Sequence, residues 1–149
     1  MRAVAVPAPS HDMQRLWFAT QRRPWSSLAL VPVASNRSVR FVAEALASLG
    51  ALQRRIPVEI ISGEGATLDS CARLARDLEA SVASGALVVL VLDPVVQNEA
   101  GISLAMAADA IVLGVELGAA TGPALSRTLE LLGRDRVLGT VAIRSSRPS

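Results

Sequence analysis

The stretch ASNRSVRF, residues 34–41, joins an apolar run, LALVPV, to an amphipathic run that begins at Ser38. Strand, loop and helix in that order are the layout of a phosphate-binding loop. Such a loop works because glycines let backbone N–H groups curl around an anion, a lysine neutralises the terminal phosphate oxygens, and a Ser or Thr hydroxyl holds magnesium. Here the loop has neither glycine nor lysine. All 15 basic residues of the chain are arginines, so no shift of register supplies the missing ammonium. Two cationic candidates remain, Arg37 and Arg40. A guanidinium binds phosphate well and the start of a helix favours anions; the opposing reading is that both are solvated residues of a first helical turn.

Carboxylates form the second set. Asp93 closes the apolar run VVLVLD, where its carboxylate can accept hydrogen bonds from its own turn ahead of Pro94. Glu64 and the more distant Asp69 follow the run PVEIIS. The Gly63-Glu64-Gly65 turn lacks the spacing of a dinucleotide fingerprint and reads as a tight exit from a strand, with Thr67 capping the next helix. Cys71 and His11 stand far apart and make no metal site. Within TLDSCARLARDLEASV, Cys71 shares an apolar face with Leu68, Ala75, Leu78 and Val82, and so reads as core, not nucleophile.

The elements that must position these residues alternate. Short apolar runs bounded by breakers predict strands at 28–33, 58–61, 86–92, 110–115 and 137–143. Amphipathic segments predict helices over 38–54, 67–84, 98–108 and 121–132, the last with Pro123 in its first turn and Gly133 at its end. A further helix within SHDMQRLWFATQRRPW is expected to pack Leu16, Trp17 and Met13 onto the sheet and to end at Pro24. Strands apolar along their whole length, alternating with helices, predict a mainly parallel sheet covered on both faces: an α/β, three-layer sandwich. One domain is expected over residues 10–144, with Pro-, Ser- and Ala-rich tails at 1–9 and 145–149 disordered. In such a sheet ligands sit outside the carboxyl ends of the strands, so the loops beginning at Ala34, Gly63, Asp93 and Glu116 form the candidate site.

Composition narrows the function classes. No apolar run reaches the roughly 18–20 residues of a membrane span, because Asp93-Pro94 and Glu116 interrupt the longest ones. The start, MRAVAVPAPSHD, lacks an apolar core of leader length, so a cytoplasmic location is expected. The pI of about 9.9 reflects arginine's high pKa, since the formal net charge is only +2. The arginines are scattered and aromatics are few, which makes nucleic acid an unlikely partner by this pattern.

Taken in order, RLWFATQRRPWSSLALVPV, VAEALASLG, GALVVLVLDPVV and ISLAMAADAIVLGVELGAATGPALSRTLELLGRDRVLGTVAI resemble the nucleotide-binding domain of the bacterial tyrosine kinases (BY-kinases) of capsule and exopolysaccharide export. Those kinases are relatives of the Min and Par partition ATPases. The resemblance runs from about Asp12 to Ile143 and implies a P-loop NTPase-like fold with strand order 2-3-1-4-5. It places Val39 where the family has its Walker A lysine, Asn36 and Ser38 on the loop glycines, and Arg40 on the magnesium-binding hydroxyl. Glu64 and Asp69 fall at the family's second acidic turn, and Asp93 on its Walker B aspartate.

A valine in place of the lysine removes the charge that stabilises a transferring phosphoryl group, and an arginine at the hydroxyl position repels magnesium. The chain also has no tyrosine to serve as a phosphorylation substrate. The expectation is therefore a pseudo-ATPase or pseudokinase without catalytic residues, bound ATP, magnesium or other cofactor. By resemblance it would act in exopolysaccharide or capsule biosynthesis, docking on the cytoplasmic part of a membrane polysaccharide co-polymerase, or on itself as a homo-oligomer, and reaching the inner membrane through that partner. The family assembles through a helix carrying an acidic residue and then two arginines at intervals of three. Asp12 and Arg15 match the first two positions, and Phe18 replaces the third. Trp17, Phe18 and Trp25 form either an aromatic contact surface or packing under this helix, the latter being favoured for Trp17. Two alternatives stay open: a nucleotide-binding switch using Arg37, Arg40 and Asp93, and a partition-type scaffold that gathers its arginines on one face to bind DNA or membrane.

Overall fold

The computed structural model describes residues 11–34 and 37–143; the side chains of Arg37 and Ser38, the residue Asn36 and both predicted tails lie outside the described residues. In chain order the elements are α1 (His11–Thr20), β1 (Ser27–Pro32), α2 (Arg37–Arg54), β2 (Val58–Ser62), α3 (Leu68–Ala83), β3 (Leu87–Val91), α4 (Gly101–Ala107), β4 (Ala110–Glu116), α5 (Gly122–Leu132), a 3-10 turn (Arg134–Arg136) and β5 (Val137–Ile143). The five strands form one sheet in the order β2-β3-β1-β4-β5, and every neighbouring pair is parallel.

The strand alternation divides the interior into two cores. Leu28, Leu30, Val89, Val91 and Val112 face α1 and α2, whereas Ala29, Val31, Leu90, Leu92, Ile111 and Leu113 face α3, α4 and α5. Covered on both sides, β1 and β3 are buried at every position, while the edge strands β2 and β5 are half-buried. Continuous apolar runs are what a doubly covered parallel strand requires. Thr67 caps α3: its hydroxyl accepts from the Ser70 N–H, while the Ser70 hydroxyl accepts from the Thr67 N–H. Thr121 caps α5 in the same sense through the Ala124 N–H.

Three sequence expectations are corrected. Helix α1 stops at Thr20, four residues before Pro24, where the Thr20 hydroxyl donates to the Trp17 carbonyl at 2.6 Å and turns the chain. Helix α4 begins at Gly101 and not at Asn98, because residues 94–98 form a turn in which the Gln97 and Asn98 N–H groups both donate to the Pro94 carbonyl. Leu68, assigned by spacing to the apolar face of α3, is 76% exposed in the helix's first turn; Cys71 and Leu78 of that face are buried. Met13, Leu16 and Trp17 pack against the sheet as expected.

Candidate functional site

The carboxyl ends of β1, β2 and β3 bring the loops after them together, and their own side chains tie these loops to one another. Gly63 can approach β3 closely enough for its N–H to donate to the Val91 carbonyl at 2.7 Å; a methyl at Gly63 would come within 2.6 Å of Leu92. One turn on, Gly65 adopts a φ of 70°, the left-handed region that favours glycine, and its N–H donates to Asp93 Oδ2 at 2.7 Å. Asn98 donates through Nδ2 to the same carboxylate oxygen at 3.3 Å and to the Ala66 carbonyl at 3.1 Å. Gln97 reaches the loop after β1, donating to the Ala34 carbonyl at 3.3 Å.

Asp93 thus holds the β2–α3 loop against the turn that follows β3. Its bond from Asn98 lies within the turn that follows it, as one sequence reading expected, and its bond from Gly65 crosses to the neighbouring loop. Gln97, Asn98 and Ser62 were not singled out in the sequence. The one signal that pointed to Asn98 was its place in the polar break between an aspartate-proline turn and the next helix.

Arg40 lies on the first exposed turn of α2, and its Nη2 makes a 2.5 Å ion pair with Glu64 Oε1. The Ser62 hydroxyl donates to the same oxygen at 3.0 Å. Arg40 and Glu64 are therefore brought together from the two positions to which the resemblance assigns a magnesium-binding hydroxyl and an acidic turn. A cation brought to Glu64 meets a full positive charge already in contact with it. Val39 is only 2% exposed, and its Cγ2 would stand 2.7 Å from a methyl on Gly114 of β4, so this side chain fills the core and does not reach into the loop. Val39 and Arg40 thus offer a nucleotide's phosphates and magnesium neither an ammonium nor a hydroxyl. Among the described residues, no group of three His, Cys, Asp or Glu side chains is gathered to hold a metal ion.

The remaining candidates lie elsewhere. Cys71 is buried and its thiol donates to the Ala100 carbonyl at 3.2 Å. Asp12 and Arg15 are exposed on α1, and Phe18 is 57% exposed beside them. Trp17 and Trp25 are 2% and 7% exposed, so they are core residues and not a contact surface. Their rings meet edge to face at 6.0 Å, and the Trp25 indole N–H donates to the Thr20 carbonyl at 3.0 Å, which satisfies the polar end of a buried indole. A cleft of ≈ 170 Å³ lies between Leu16, Ala19 and Thr20 of α1 and Val112, Leu138 and Thr140 of the sheet, away from these loops.

No family model matches the chain, and no curated protein matches it. Among solved structures it is similar to the chimerical protein CapA2B2, with a TM-score of 0.68 and 12% sequence identity over 91% of this chain and 82% of that one. At that identity the likeness is one of fold. It supports the three-layer α/β architecture that was expected, and the observed strand order is the expected 2-3-1-4-5. No helix among the described residues is long and apolar enough to cross a membrane.

Proposed function

We propose that this chain is a pseudo-ATPase, a non-catalytic interaction protein that keeps the strand-to-helix connection of a phosphate loop and has replaced its chemistry with internal bonds. The observation that carries the reading is the Arg40–Glu64 ion pair. It puts a guanidinium where, by resemblance, a nucleotide's magnesium would lie between α2 and the β2–α3 turn. Support comes also from Asp93, which is engaged by Gly65 and Asn98, and from Val39, which packs in the core at the lysine position. On the resemblance to the bacterial tyrosine kinases, the role is regulatory binding in exopolysaccharide or capsule biosynthesis and export. The partner is the cytoplasmic part of a membrane polysaccharide co-polymerase, or a second copy of the chain, and the protein reaches the inner membrane through it.

Calorimetric titration of the purified protein with ATP and with ADP, with and without magnesium, tests this. The expected outcome is no saturable heat at millimolar nucleotide. Saturable binding that disappears in Asp93→Ala or Arg40→Ala overturns the proposal and restores a nucleotide-binding switch.

A further inference from the structure

Two arginine doublets that are far apart in sequence are brought into one surface at the opposite end of the sheet from the loops above. Helices α1 and α2 lie side by side and end together. Trp17 packs on Gly50 so closely that a methyl there would come to 3.0 Å of the indole, and one turn further along Arg54 Nη1 donates to Gln21 Oε1 at 3.2 Å. The packing therefore brings the turn that carries Arg22-Arg23 to the end of α2 that carries Arg54-Arg55, with Arg22 also lining the cleft beside Leu138 and Thr140. All four are exposed, and among the described residues none of them is ion-paired. Asp109, the carboxylate next to this end of β1, is engaged by the N–H groups of Ser26 and Ser27. Cations at helix ends complement the helix dipole, which accounts for one such residue per helix but not for four exposed at one end of the molecule.

Arg55 adds a second observation. Its φ is 56°, and its N–H closes α2 on the Ala51 carbonyl, the left-handed position where helices ordinarily carry glycine. An arginine in this conformation is strained, so its side chain, not its backbone, accounts for its presence. Phe18, 57% exposed, stands one turn before Arg22. A single exposed aromatic amid guanidinium groups does not make the series of stacking platforms that a polynucleotide uses. It does suit a surface of lipid phosphates, which needs clustered cations and one apolar side chain to enter the headgroup layer.

We propose that the joined ends of α1 and α2, carrying Arg22, Arg23, Arg54, Arg55 and Phe18, form a docking surface for anionic phospholipid membranes. This surface is separate from the Arg40–Glu64 site and does not depend on the fate of nucleotide binding. The test is co-sedimentation of the full chain with phosphatidylglycerol-rich vesicles and with phosphatidylcholine vesicles, at low and high salt. Binding is expected only to the anionic vesicles, to be lost at high salt, and to weaken by about fivefold for each arginine removed in Arg22→Gln, Arg23→Gln, Arg54→Gln and Arg55→Gly. Arg55→Gly is the decisive variant. Glycine suits a φ of 56°, so its fold is expected to be at least as stable as the parent while its vesicle binding falls. Equal binding to both vesicle types, or unchanged binding in the fourfold variant, overturns the proposal. So does arginine-dependent capture of a single-stranded oligonucleotide without binding to vesicles.

Discussion

Arg40 and Glu64 bond to each other at positions that the resemblance gives to metal binding, and the strength of that bond is set by solvent. The side chains are 50% and 25% exposed, so screening keeps their attraction small. A double-mutant cycle of Arg40→Ala and Glu64→Ala in urea denaturation is expected to give a coupling of about 0.2–1 kcal/mol, smaller in high salt. The pair therefore acts by occupying a position more than by stabilising the fold. Val39 poses the reverse case. Val39→Lys restores the residue type that a phosphate loop requires, but at a site enclosed by the core. The expected result is a loss of about 2–4 kcal/mol in urea denaturation with no gain of ATP affinity by calorimetry. A gain of affinity with stability intact would mean that one substitution reopens the site.

At the scale of elements, the first turn of α2 packs on β4. Val39 meets the sheet at Gly114, where a methyl would approach Val39 Cγ2 to 2.7 Å and Ile143 Cδ1 to 3.3 Å. Gly114→Ala is therefore expected to cost about 1–3 kcal/mol by overpacking, and adding Val39→Ala should recover part of that loss. Equilibrium urea melts of the two single variants and the double variant check this; simple additivity would show that α2 does not press on β4 here. The loops around Asp93 follow a related logic. Gly65 and Gln97 bond loop to loop, and Asn98 bonds both to Asp93 and across to Ala66.

For the whole molecule, the sheet couples two cores, and α1 closes one of them. Its indole at Trp17 packs edge to face on Trp25 and against α2, so both tryptophans report the same junction. If α1 belongs to the cooperative unit, unfolding followed by tryptophan fluorescence and by far-UV circular dichroism gives coincident transitions. Trp17→Ala should lower stability by about 3–5 kcal/mol by opening a cavity at that junction. A fluorescence transition well ahead of the dichroism would instead make α1 a separately melting appendage.

The α/β class and the positions of all five strands were legible from short apolar runs between breakers, most plainly for the central strands, which are covered on both faces and apolar throughout, as Leu28–Val31 and Leu87–Val91 are. The missing lysine and glycines of the phosphate loop were equally plain. The strand order came from the family resemblance, since periodicity reports which face a residue presents and not which strand lies beside it. That is also why polar partners escaped the sequence. Arg40 finds Glu64 24 positions away, Gly65 finds Asp93 28 away, and Gln21 finds Arg54 33 away. The first two of these pairs depend on the order that sets β3 between β2 and β1, and the third on two helices packed to a glycine's distance. Residue types thus determined which groups of a phosphate loop this loop lacks, and only the tertiary structure decided which side chains meet beside it, because a bond between distant residues exists only once the sheet has fixed where both of them stand.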